Sequence, residues 1–222
     1  MDRWATFDCY GTLIDWNGGI RRELVDVFGE DEADWLLERY HRIEPELQRN
    51  GSMTYREVLT EALARLAEEE DVELADDQRE ALARSLPSWE AFSDVREALE
   101  EARTRGWRLA ILSNTDRDLI EASKERLGAP IDETIVASEI GSFKPGHAHW
   151  EEFFRRTGAD RAGHVHVAAS LFHDIAPAND LGLRSVWINR LAEHRASGAA
   201  KPDRELPDLR RLADTLDELA PA

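Results

Sequence analysis

Apolar and polar residues follow two different rhythms along the chain. A short apolar run, Trp4 to Phe7, leads into Asp8-Cys9-Tyr10-Gly11-Thr12, the pattern of a buried strand feeding a turn. From about residue 20 to 86 the spacing becomes helical: Ile20, Leu24, Val27 and Phe28, then Trp35, Leu36, Tyr40, Ile43 and Leu47, then Met53, Val58, Leu59, Ala62, Leu63 and Leu66, with Gly29 and Gly51 as punctuation. No strand is predicted there. Beyond Pro87, Val95, Ala98, Leu99 and Ala102 mark a helix face that stops at Gly106, and 107–112 reads as a strand. Helices over 119–127, 149–156 and 175–181 end at Gly128, Gly158 and Gly182 and precede strands 134–137, 164–168 and 184–188. After an exposed loop over 195–202, Leu206, Leu209, Leu212 and Leu216 predict a last helix. Strands alternating with helices of this length predict an α/β fold with a parallel sheet covered on both faces, interrupted after its first strand by a helical insertion.

The length of 222 residues suits one domain with a large insertion or two small ones. A formal charge of −18 disfavours nucleic acid and anionic membrane surfaces, because the phosphate attraction that drives such binding becomes repulsion. Lone Cys9 excludes a disulfide framework and a cysteine-rich metal site. The first residues lack the basic start and apolar run of a secretory signal, and no run reaches about 18 apolar residues, so the expected location is the cytoplasm. Only Lys124, Lys144 and Lys201 are lysines, which fits either adaptation to high salt or a GC-rich genome.

Open parallel sheets bind ligands beyond the carboxyl ends of their strands, and an insertion rooted there covers the site. Asp8 follows the first strand, Ser113 and Asn114 the second, Lys144 lies past the third, and Ser170 to Asp174 follow the fourth. Singly these are ordinary cap and turn residues. Together they supply a nucleophile, its counter-charge, hydrogen-bond donors and a water-orienting base, the set for covalent hydrolysis.

Phe7 to Trp16, Leu112-Ser113-Asn114, Phe143-Lys144-Pro145, His173-Asp174-Ile175 and Val186 to Arg190 resemble the four motifs of the haloacid dehalogenase superfamily, and within it the type II 2-haloacid dehalogenases. The resemblance implies a Rossmann-like core over 1–15 and 88–222 and a helical-bundle cap over 16–87. It also implies a small 2-haloacid as substrate, with Asp8 attacking the halogen-bearing carbon to form an ester that water hydrolyses. Lys144 would aim and ionise Asp8, and Thr12 with the backbone amides after Asp8 would fix its second oxygen. Ser113 and Asn114 would bind the substrate carboxylate or Asp8, and Tyr10 would line the halogen pocket. Asp174 would brace Lys144 or water. Cys9, pointing away, is expected in the core. Homodimers are common in the resembled family, and apolar cap residues such as Trp35 are candidate contacts.

Most of the superfamily resembles Mg²⁺-dependent phosphatases, with a second Asp two residues after the nucleophile and another four before the last motif-four Asp. This chain has Tyr10 and Ser170 there, a poor Mg²⁺ cage, so no cofactor is expected unless the phosphatase reading holds. Type II enzymes carry a halide-receiving Arg in a cap-helix Trp-Arg setting that is missing here. One helix face presents residues 37, 40, 41 and 44, which favours His41 as the replacement and Arg39 second; a smaller imidazole would favour a smaller halide such as fluoride. Where these dehalogenases have Ser and Asn in motif four, this chain has Ala169 and Leu171, leaving His173 as candidate general base. Trp150, with His147 and His149, is placed near the site. Three readings stand: dehalogenase, phosphatase or other small-acid hydrolase, and non-catalytic binding protein.

Overall fold

The computed structural model describes residues 2–49 and 53–221; Gly51 lies outside them, as do the two terminal residues of the expected core. After β1 (Arg3–Phe7) come α1 (Trp16–Phe28), α2 (Glu30–Gln48), α3 (Tyr55–Glu69), α4 (Ala81–Ser85) and a 3₁₀ turn, with no strand among the described residues of this stretch. Then follow α5 (Val95–Thr104), β2 (Trp107–Ser113), α6 (Arg117–Leu127), β3 (Glu133–Val136), α7 (Ala137–Ile140), α8 (Ala148–Thr157) and β4 (His164–Ala168). A π-helical turn (Leu171–Ile175) runs into α9 (Ala176–Asp180), and β5 (Arg184–Ile188), β6 (Arg204–Leu206) and α10 (Leu212–Leu219) complete the chain.

All six strands are parallel, in the order β3-β2-β1-β4-β5-β6. The chain winds outward from β1 in one direction, then returns to place β4 on its other side, so the order reverses between β1 and β4. That reversal opens a crevice at the carboxyl ends of the two strands, where Asp8 and the 170–174 segment emerge. Two expectations differ from the structure. Strand β3 stops at Val136, and Ala137 opens the short α7. Leu206, expected in the last helix, sits in β6, whose carbonyl accepts the Asn189 N–H at 2.8 Å. An edge strand of three residues is too short to show a two-residue rhythm.

Alternation along the strands builds two cores. One face (Trp4, Ala110, Leu112, Ile135) packs on Trp150 and Phe153 of α8. The other (Ala5, Phe7, Leu109, Ile111, Val165, Val167) packs on α5, α6 and α10, and includes Cys9 as expected. This second cluster continues into Ile20 and Leu24 of α1, Leu36 and Tyr40 of α2, and Val58 and Leu59 of α3. At Gly19 the α1 backbone lies directly on the Trp89 indole: a Cβ there would stand 2.3 Å from the ring. Helix α3 has a Thr54/Glu57 capping box, and its first two N–H groups, of Tyr55 and Arg56, donate to the Asp116 carboxylate at 3.1 and 3.0 Å. Asp116 thus holds the insertion to the loop after β2 with a charge placed at the positive end of a helix.

Candidate active site

Asp8 extends β1 by one residue, its N–H donating to Val167 at 3.1 Å. Gly11, at φ 89°, then turns the chain so that the N–H groups of residues 11–14 close onto the carbonyls of Ile14 and Cys9. Those amides are spent within the turn and do not reach the Asp8 carboxylate as expected. Its Oδ2 accepts from the Thr12 hydroxyl at 2.8 Å, which in turn accepts the Ala169 N–H at 2.9 Å. Thr12 therefore ties the β1 turn to the end of β4. From below, Arg190 donates to the Thr12 carbonyl at 3.2 and 2.9 Å and grips Asp94 with two contacts of 3.1 Å.

Lys144 is buried between two carboxylates. Its ammonium donates to Asp8 Oδ1 at 2.9 Å, to Asp174 Oδ1 at 2.7 Å and to the Leu112 carbonyl at 2.8 Å. These three contacts use all three of its protons. Burial opposes the lysine charge, but the Asp174 and Asp8 carboxylates outweigh it and hold the ammonium above its ordinary range. Burial would likewise raise Asp174, yet Lys144 and a hydrogen bond from His166 hold its carboxyl well below the usual carboxylate range. For Asp8 burial wins: despite Lys144, the neighbouring Asp174 charge helps keep its carboxyl above the ordinary value. One cation shared by two acids leaves Asp8 the more basic of the pair.

Behind Asp174 lies a buried chain that the sequence reading missed. His166 Nε2 lies 3.1 Å from Asp174 Oδ1, and Thr6 Oγ1 lies 2.8 Å from both His166 Nδ1 and His164 Nε2. An ionised Asp174 only accepts, so His166 carries its proton on Nε2. Neutral tautomers then satisfy every link: His164 Nε2–H donates to Thr6, Thr6 to His166 Nδ1, and His166 to Asp174. The partnerless atom, His164 Nδ1, is then an acceptor, the cheaper group to leave unpaired. Threonine at an inward strand position and two histidines spaced by two residues on β4 are the signal, since such positions share one sheet face.

A cavity of about 590 Å³ opens over Asp8 between the sheet edge and the helical insertion. Of the expected residues, Asp8, Tyr10, His41, Ser113, Asn114, Lys144, His173 and Asp174 line it. Ser113 Oγ is buried without a partner. Tyr10 donates or accepts at Ser123 Oγ, 3.0 Å away, and stacks on Tyr55. His41 lies flat on Trp16, with Nε2 at 2.9 Å from Asn17 Oδ1, and burial lowers its pKa. His173 is also lowered by burial, and its Nδ1 is 3.2 Å from Ser170 Oγ.

One lining residue is already spent on protein partners, and two expected residues lie elsewhere. Asn114 spends both amide protons, on the Lys144 carbonyl at 3.0 Å and on Gln48 Oε1 at 3.1 Å, while its oxygen accepts the Lys144 N–H at 2.6 Å. It shapes the lysine loop and leaves no donor for a ligand. Arg39 faces outward, bidentate to Glu69 on α3, because it falls a quarter-turn from the face that carries Tyr40 and Glu44. Trp150 is fully buried in the α8 core, edge-on to His166 at 5.1 Å. Beside it, His149 donates to the Ser113 carbonyl at 3.1 Å and is driven down to about 3 by burial, while His147 is half-exposed near Asp180. Glu44 and Gln48, one and two turns beyond His41, also line the cavity; the helix face named Glu44 without assigning it a role.

Among the described residues no group of three or more His, Cys, Asp or Glu is arranged to hold a metal ion, and no helix is long and apolar enough to cross a membrane. The chain is 25% identical to the (S)-2-haloacid dehalogenase 4A of Burkholderia cepacia, over 99% of this chain and 94% of the relative. It is 30% identical to the ribulose-1,5-bisphosphate 5-phosphatase of Halopiger xanaduensis over 63% of this chain and 62% of that protein. The crystal structure of an L-2-haloacid dehalogenase superposes with a TM-score of 0.88 at 22% identity, covering 97% of this chain and 98% of the other. The model of the haloacid dehalogenase-like hydrolases matches residues 3–182, and the chain belongs to that family.

Proposed function

We propose that the chain is a 2-haloacid dehalogenase that works without a metal. The observation that carries this reading is the Lys144 ammonium, which spans Asp8 Oδ1 and Asp174 Oδ1 and so supplies the nucleophile's counter-charge from the protein itself. The donor set does not suit Mg²⁺: position 10 is a tyrosine bound to Ser123 and position 170 a serine that caps the π-turn.

In this reading the helical segment over 16–87 caps the core and shields the reaction. The ionised Asp8 attacks C2 of the haloacid from the rear, the carbon–halogen bond breaks, and halide leaves with the bonding electrons. Water then attacks Cγ of the ester, the Cγ–O bond breaks, and the product leaves with the former Asp8 oxygen on C2, taking up the proton removed from the water. Asp8 is restored with an oxygen from water, and the 2-hydroxy acid has inverted configuration. With Nδ1–H donating to Ser170, His173 presents a free Nε2 to take the water proton. Asp174 holds Lys144, Thr12 steadies Asp8, and Ser113 Oγ is free to donate to the substrate carboxylate. Tyr10 and His41 border the leaving halide. A dimer contact would use the indole of Trp35 on α2, 47% exposed, and light scattering reports it.

Halide release from fluoro-, chloro- and bromo-acids is the test, with EDTA present and beside Asp8→Asn. Release that survives EDTA and is lost in the variant is expected. No halide from any acid defeats the reading, and phosphate release that needs Mg²⁺ favours the phosphatase alternative.

A further inference from the structure

An anionic substrate needs donors, and the two cations of this cavity are largely committed within the protein. Lys144 has given its three protons to Asp8, Asp174 and Leu112. Arg190 is committed to the Thr12 carbonyl and Asp94. Across the cavity stands Glu44 of α2, 6% exposed. One of its oxygens accepts from Gln48, whose own oxygen is held by Asn114 of the core. No cation pairs with Glu44 among the described residues. The Asp8 charge lies in the same cavity, and an unpaired second charge there would be costly.

Resting on the dehalogenase reading, we propose that Glu44 carries a proton in the working enzyme and donates it, as a hydrogen bond, to the substrate carboxylate. Gln48 fixes the acceptor oxygen, so the protonated oxygen is the one turned to the ligand. A neutral acid facing a carboxylate forms a short charge-assisted bond and adds no charge to the cavity. The residue thereby selects for a carboxylate at the cap end of the substrate.

Burial and the Asp8 charge push the Glu44 carboxyl up to about 8. Apart from Asp8, the other displaced groups around it are shifted away from the window just above neutrality. His41 on its own helix and His173 on the sheet edge are lowered. Tyr40 of α2, Tyr55 of α3 and Tyr10 and Cys9 after β1 are raised. Lys144 is raised and Asp174 lowered. Asp8, already needed as its anion, is raised from the ordinary aspartate value. Asp15 and Glu193, also at the cavity, are carboxylates on α1's cap and after β5.

The experiment follows KM for 2-chloropropionate from pH 7 to 9.5 in wild type, Glu44→Gln and Glu44→Leu, alongside calorimetric binding of acetate, which cannot react. Wild-type KM and the acetate Kd are expected to rise about tenfold per pH unit above about 8, as the neutral acid is lost. Glu44→Gln, which keeps an N–H donor and the Gln48 contact, removes that rise; Glu44→Leu raises KM about tenfold or more at pH 7 and shows no rise with pH. A wild-type KM and acetate Kd that stay flat, or a rise that persists in Glu44→Gln, overturns the assignment. If no haloacid is turned over but acetate binds with this pH dependence, the dehalogenase reading fails and the Glu44 assignment stands. If acetate does not bind and no haloacid is turned over, both fall.

Discussion

The His166 imidazole donates to the Asp174 carboxylate at 3.1 Å, and both side chains are shut away from solvent. The bond lands on the oxygen that receives the Lys144 ammonium, so His166 helps decide where that ammonium stands. A hydrogen bond to a charged group contributes about 1.5 to 3 kcal/mol. His166→Leu is expected to lower kcat about 10- to 100-fold and to move the acid limb of the pH profile upward, since Asp174 loses a donor that favours its anion. His166→Gln, which restores an N–H donor, should recover part of both. An unchanged acid limb in His166→Leu would show that the histidine only fills space.

Removing Lys144 leaves two buried carboxylates facing each other. Lys144→Met is expected to abolish turnover and to cost about 3 to 5 kcal/mol at neutral pH. Without the cation both acids titrate above their unfolded values, so the variant should gain stability on acidification. Wild type runs the other way: the depressed Asp174 contributes stability above the unfolded aspartate value and loses it as pH falls toward the folded one. Thermal melts at pH 3 and pH 8 compare the two, and a parallel response would refute the charge argument.

His41 stacks on Trp16 at the wall of the cavity. A neutral ring with a small footprint is expected to favour fluoride over chloride as leaving group. His41→Ala should therefore lower fluoroacetate turnover about tenfold more than chloroacetate turnover. Equal losses on the two acids sink the idea.

Gly19 offers a prediction that helix propensity alone would get backwards. Alanine in a helix interior is favoured over glycine by about 1 kcal/mol. Here a Cβ would meet the rigid, buried Trp89 ring at 2.3 Å, and forced overpacking costs about 1 to 3 kcal/mol. Gly19→Ala is expected to lower the urea midpoint; a raised midpoint would mean the indole moves freely aside.

Asp116→Ala takes the borrowed carboxylate from the start of α3. Loss of a helix cap costs about 0.5 to 2 kcal/mol, even though Thr54 and Glu57 still close their capping box. Hydrogen exchange at Tyr55 and Arg56 should accelerate more than in the β1 ladder, and uniform acceleration would contradict a local role.

The strand ends carrying Asp8, Ser113, Lys144 and Asp174 were legible because turn chemistry interrupts each apolar run at the same edge. Thr12 was legible as well, since it follows the nucleophile within one turn. Arg39 and Trp150 lie away from the cavity, and Asn114 lines it with its amide protons already spent; the hydrogen bonds and packing that decide this involve residues far along the chain or the helix's rotation. His166 hid for another reason. A sheet covered on both faces makes a buried strand histidine expected, but its link to Asp174 appears only once β4 lies beside β1 and the 170–174 turn folds back. Glu44 was on the right helix face, but an acid among apolar neighbours gives no hint of its protonation until Asp8 stands opposite.

The apolar cluster that runs from β1 and β4 into α1, α2 and α3 also bears on how the molecule comes apart. The helical segment packs mostly on itself, α1 on α2, α2 on α3 and α3 on α4, and meets the core through the residues that follow β1 and through the turn beside α6. Its own interior would survive a swing away from the sheet edge, so the cleft can open with the helices still folded. Hydrogen exchange in α2 and α3 should then stay protected under conditions that open the cleft, and early loss of that protection would contradict it.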